Sequence, residues 1–230
     1  MPPTPDTLPI SHLARAAYCL RQLYYARRED DHAPPDAVAP VRDLAFEYER
    51  LRSASDDRLR ARPIALEPST YRGNLAALAD RDDYERLADP ETREAFLRGR
   101  DCHGVAHKVL EPAEPAAPPT PTVVSPGDPP PRGVWEPQRV RAVAVAKALA
   151  WERGRDVPRA LVEYPAHGVV RAVRLTTRNK SAYRRTLWAV RSMRGVPART
   201  REKSKCDACA YRTACGTKTR SLKTMLGLSR

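Results

Sequence analysis

Cys206-Asp207-Ala208-Cys209-Ala210-Tyr211-Arg212-Thr213-Ala214-Cys215 decides how the rest of the chain is put together. Its three cysteines follow the spacing C-x2-C-x5-C, in a loop too short to pack three thiols separately in a core. Two thiolates three residues apart bind one metal centre from a single turn, and a third reaches back to it after five more residues. Three ligands leave one position open. The remaining cysteines are Cys19 and Cys102, so one of them is the expected fourth ligand. Cys102 sits beside a predicted buried strand, which favours Cys19. Spacing alone leaves zinc and an iron–sulfur cluster both open. Five is an odd number and nothing suggests secretion, which argues against a disulfide framework.

Outward from the cysteines the chain is strongly basic. The net charge is +13, but residues 171–230 hold 17 Lys/Arg against Glu202 and Asp207, while the first 170 residues balance to −2. Arginine outnumbers lysine 34 to 7, and its planar fork suits phosphate. The positive field therefore belongs to the last quarter of the chain, and nucleic acid is the expected polyanion. No apolar run approaches the roughly 20 residues needed to span a bilayer. Met1 to Pro9 lacks a basic segment followed by an apolar one. The expectation is a cytoplasmic protein with no membrane partner.

At the other end, Ser11 is placed to cap a helix predicted over 11–28, with Leu13, Ala16, Ala17, Leu20 and Tyr24 on one face. Cys19 falls about 60° off that stripe. The helix reads Ala17-Tyr18-Cys19-Leu20-Arg21-Gln22-Leu23-Tyr24-Tyr25. Paired with the distant C-x2-C-x5-C, it resembles the CRISPR-associated RecB-like exonuclease family and related iron–sulfur nucleases. The family usually has Pro after the first cysteine, where this chain has Leu20. The resemblance implies a 4Fe-4S cluster held by Cys19, Cys206, Cys209 and Cys215, with zinc as the alternative. It also implies a restriction-endonuclease-like α/β core with a mixed sheet flanked by helices, single-stranded DNA or DNA ends as ligand, and work beside the CRISPR spacer integrase. That last partner has no residue evidence of its own.

An active member needs carboxylates for Mg or Mn and a lysine beside the attacked phosphate. The family pattern is Gly-x-x-Asp on one strand, Glu-x-Lys on the next, then a helix opening with Gln. Here Gly104-Val105-Ala106-His107 puts His107 where the Asp is expected, and Pro121 to Gly127 carries neither Glu nor Lys. Gln138 opens the expected helix to about Arg153, apolar on two sides with Val140, Val143, Ala144 and Trp151 along one of them, and with Ala142 where the family has Tyr. Ten of the 23 prolines lie between Pro112 and Pro137, which reads as a stiff loop. The cleavage centre is thus expected to be lost. A rebuilt one would draw on Asp101, His103, His107 and Glu111.

Leu161-Val162-Glu163-Tyr164 resembles the family's Val-Glu-Tyr-Lys strand, but Pro165 replaces the lysine and the segment follows the Gln138 helix. It instead predicts a hairpin, Ala160–Tyr164 and Val169–Leu175, with Glu163 structural. Thr177 or Asn179 caps a following helix that ends at Gly195. Lys180, Arg184 and Arg191 share one face of it with Trp188 beside them, a surface suited to phosphates and an unpaired base. Residues 32–100 read as a helical insertion, including a helix opened by Asp89-Pro90 and ended by Gly99. Residues 101–195 form the α/β core with its Pro-rich loop at 112–137. Residues 196–230 form the cysteine lobe and a basic tail, with a short helix or arm from Thr217, all in one domain.

Overall fold

A computed structural model describes residues 7–29, 36–114 and 116–216. It is an α/β structure built on a mixed open sheet flanked by helices. The chain opens with β1 (Leu8–Pro9), α1 (Ile10–Tyr18) and α2 (Leu20–Arg28). A helical stretch follows: α3 (Val38–Asp43), a 3-10 turn at Leu44–Phe46, α4 (Tyr48–Arg52), α5 (Asp56–Arg60), α6 (Pro68–Ala79) and α7 (Tyr84–Ala88). Then come β2 (Thr92–Arg98), β3 (Cys102–Leu110), β4 (Thr120–Val124) and α8 (Glu136–Arg153). The hairpin β5 (Arg159–Tyr164) and β6 (Val169–Arg174), α9 (Thr177–Arg191) and α10 (Lys203–Asp207) complete it. None of the described helices is long and apolar enough to cross a membrane.

The long strand β3 organises the sheet. Along one edge it pairs antiparallel with β2 from His103 to Val109; along the other it meets β1 in parallel at Cys102–His103 and β4 antiparallel at Lys108–Leu110. Parallel β4–β5 pairing, with α8 as the crossover, and the β5–β6 hairpin extend the sheet outward. Each face has its own core. Leu13, Val143, Leu149, Val162 and Leu187 fill the side covered by α1, α8 and α9. Leu44, Tyr48, Tyr71, Leu75, Leu87 and Leu161 fill the side covered by the helices of residues 38–88. The sheet is the middle of three layers, as an α/β domain requires when both sheet faces are apolar.

Several expectations are corrected. The helix predicted over 11–28 is two helices, broken at Cys19, whose φ of −161° and ψ of 117° are extended. Ser11 is not its cap, because the first helix already begins at Ile10. The segment after Asp89-Pro90 is strand β2, so the helical insertion ends near residue 88 and the core begins at Thr92. Gly99 ends no helix but lies in the β2–β3 turn, where a Cβ would stand 2.7 Å from the Ala148 backbone. Trp151, expected on a buried side of α8, is 56% exposed. The α9 cap is Thr176, whose hydroxyl accepts from the Asn179 N–H at 3.3 Å, and the helix stops at Arg191. The tail from Thr217 lies outside the described residues.

Candidate functional site

The break at Cys19 positions the N-terminal side of the site. Its carbonyl accepts from the N–H groups of Gln22 and Leu23, starting α2 while its own backbone stays extended. This frees the residue from both helical stripes. Cys19, Cys206, Cys209 and Cys215 then line one small cavity, with Tyr18, Arg21, Gln22 and Tyr25 from the first two helices around it. Those residues clamp the C-terminal loop. Tyr18 Oη donates to the Lys205 carbonyl at 2.8 Å, Tyr25 Oη to that of Ala214 at 3.1 Å, and Arg21 Nη1 to that of Pro197 at 3.1 Å. Tyr25 stacks on Tyr211 with centroids 6.0 Å apart, and Arg199 donates to the Cys215 carbonyl at 2.7 Å.

Electrostatically the cavity crowds four thiols together among the basic side chains of Arg21, Arg199, Lys205 and Arg212. The Cys206 thiol is held above its ordinary range first by desolvation and then by Cys19, Cys215 and Cys209. A bound cation would reverse that sign, since thiolates repel one another but share a positive centre. Gln22 Nε2 lies 3.8 Å from Cys209 Sγ, and Arg21 Nε is buried with no hydrogen-bond acceptor among the described residues. The donor set, four thiols with one amide beside a sulfur, would suit a thiolate-ligated centre, whether zinc or an iron–sulfur cluster. Among the described residues no three His, Cys, Asp or Glu are placed to hold a single metal ion. The four cysteines thus border a shared space without meeting at one point.

Cys102 belongs elsewhere. It is buried at the start of β3, with its thiol 3.7 Å from the Ala144 carbonyl and its sulfur accepting from Tyr183 Oη at 3.5 Å. Burial pushes that thiol up as well.

Strands β3 and β4 carry no carboxylate. His107 Nδ1 accepts the Val124 N–H at 3.1 Å, and burial pushes its pKa down to about 2 with Arg141, Arg42 and Lys108 adding to the effect. Arg141 donates to the Val124 carbonyl, and Gln138 Nε2 donates to Ser125 Oγ at 3.2 Å. The four residues of a rebuilt centre are each engaged separately: Asp101 with Arg191, His103 with Thr7, His107 with Val124 and Glu111 with Arg153.

One polar cluster escaped the sequence reading. Lys108, Thr122 and Glu163, from three adjacent strands, meet fully or almost fully buried beneath the helical layer. Lys108 Nζ donates to Glu163 at 2.7 Å and to the carbonyls of Ala45 and Leu87 at 2.6 and 2.8 Å. Tyr48 Oη and Thr122 Oγ1 also donate to Glu163. Every proton of the ammonium has an acceptor, so this is a lock between layers and not a catalytic pair. The only sequence signal was a lysine within the apolar run Val105 to Leu110.

On α9, Lys180, Arg184, Trp188 and Arg191 are all exposed, and Trp188 is 72% so. The helix carries Arg178 and Arg185 besides, and no acid. Only Arg191 of the four has a carboxylate nearby, Asp101 at 3.5 Å. Compared with protein-family models and with curated proteins, the sequence matches none.

Proposed function

We propose that this chain is a DNA-binding iron–sulfur protein resembling the CRISPR-associated RecB-like exonucleases, with a restriction-endonuclease-like core that no longer cleaves. The observation that carries the reading is the shared cavity of Cys19 with Cys206, Cys209 and Cys215, residues that begin almost two hundred positions apart. A single zinc ion holds its sulfurs about 2.3 Å away, hence within about 4 Å of one another. A 4Fe-4S cluster needs a wider ring of sulfurs, and the preference for it over zinc rests on the family resemblance. When bound, the cluster would cross-link the two ends of the chain through Cys19, Cys206, Cys209 and Cys215. Arg21 and Gln22 would donate toward its sulfurs.

The α9 face supplies the DNA contact, with Lys180, Arg184 and Arg191 on phosphates and Trp188 under an unpaired base. The expected loss of cleavage rests on His107 standing where the family has Asp and on Pro121 to Gly127 carrying neither Glu nor Lys. Association with the spacer integrase rests on the family resemblance alone.

Anaerobic purification with iron and sulfide analysis tests the centre. A brown protein is expected; Cys19→Ser should lose its iron and visible absorption, and Cys102→Ser should keep both. A colourless protein containing zinc, or iron retained by Cys19→Ser, refutes the assignment. DNA affinity should fall steeply across a salt series, and manganese should produce no degradation of DNA ends.

A further inference from the structure

A second concave region lies away from the four-cysteine cavity, where the β2–β3 turn with Cys102, the end of α8, the turn into β5 and the start of α9 meet. It is a cleft of about 800 Å³, in the size range of small-ligand sites, about 300–1,000 Å³. Arg100, Lys147, Arg155 and Lys180 line it against Asp101 and Asp156. Asp101 already faces Arg191 at 3.5 Å. No ion pair among the described residues engages Arg100, Lys147 or Lys180, and Lys147 rests over the Tyr183 ring at 5.8 Å. Concavity concentrates such a field.

Two details suit an anion with an aromatic part. The carbonyls at the end of α8 would repel negative charge, but Gly154, left-handed at φ 60°, turns the chain back on them. Its N–H donates to Trp151, and that of Arg155 donates to Ala150. Trp151 itself lines the cleft and is 56% exposed, a large apolar side chain left in water at the end of an otherwise buried helix.

We propose that this cleft binds a nucleotide carrying a terminal phosphate, with the phosphate among Arg100, Lys147 and Lys180 and the base on Trp151. A strand end and a free nucleotide offer the same chemistry. The strand-end source rests on the DNA-binding reading above; the free-nucleotide source does not.

The test titrates the full chain with three probes: a single-stranded oligonucleotide with a 5′-phosphate, the same oligonucleotide with a 5′-hydroxyl, and AMP. The phosphorylated strand should bind about ten-fold more tightly than its hydroxyl counterpart, with AMP competing for the difference. Lys147→Glu should abolish that preference and leave hydroxyl-strand affinity within about two-fold, whereas Lys147→Arg should retain it. Trp151→Ala should weaken the phosphorylated strand about ten-fold. Equal affinity for both strands, unmoved by Lys147→Glu and Trp151→Ala, overturns the cleft while leaving DNA binding on α9. AMP binding that needs Lys147, without binding of either strand, supports the cleft and refutes the DNA reading. Failure of all three probes refutes both.

Discussion

Two clusters in this molecule gather ionisable groups out of water, and they are finished to different degrees. Beneath the helical layer, Lys108 and Glu163 face each other at 2.7 Å, and Tyr48, Thr122 and two carbonyls take up the remaining valences. At the chain ends four cysteines share one cavity with Arg21, Arg199, Lys205 and Arg212 on its walls, and among the described residues Arg21 Nε has no acceptor. Burial and charge alone do not mark a functional site. The distinction is whether the groups complete one another or call for something from outside.

The sharpest way to break that comparison is to open the completed cluster. Glu163→Ala leaves a buried ammonium without its counter-ion and should lower unfolding free energy by about 3–5 kcal/mol in urea titrations. Lys108→Met with Glu163→Leu should recover much of it. A stable Glu163→Ala would show the pair to be less enclosed than its geometry implies.

Acid offers a graded second probe. Burial holds the His107 pKa at about 2 in the folded chain, against about 6.5 when unfolded. Between those values only the unfolded chain takes up the proton, so this contribution is intact above pH 6.5 and is lost as pH falls. The slope is up to about 1.4 kcal/mol per unit, or about 2 kcal/mol by pH 5. His107→Asn should flatten the pH dependence of the urea midpoint; an unchanged slope would mean His107 reaches water.

Smaller effects sharpen the other side. Trp188→Ala should weaken DNA binding about ten-fold while leaving stability within about 0.5 kcal/mol, read by polarisation and by melting. Cys102→Ser should cost about 1 kcal/mol through its contacts with Ala144 and Tyr183, with no change in colour.

Long or strongly patterned segments were legible in the sequence. Gln138 to Arg153 announces a buried helix by being apolar on two sides, and Leu161 to Leu175 announces a hairpin through Pro165 and Gly168. The alternation of Tyr183, Leu187 and Val190 with basic residues likewise exposes α9. Strand β2 was not legible: along Thr92–Arg98 only Leu97 is buried, and the pairing that makes it a strand comes from β3. The interruption at Cys19 carries no Gly or Pro to signal it. Lys108 depends on Glu163, 55 residues away, and such partnership leaves no local pattern. Cysteine spacing put four ligands on one list because thiol chemistry is sparse in the chain, whereas basic residues are so common that the cleft around Lys147 did not stand out.

The interruption at Cys19 also has a consequence in time. During synthesis at roughly 5–20 residues per second, this thiol leaves the ribosome some 10–40 seconds before Cys215 can join it. Throughout that interval the Cys19 thiol lacks the three cysteines with which it will share a cavity, since Cys206, Cys209 and Cys215 are the last to be made. If the proposed centre is bound, its loading would be ordered by translation itself, coming only after residues 206–215 have emerged and folded back.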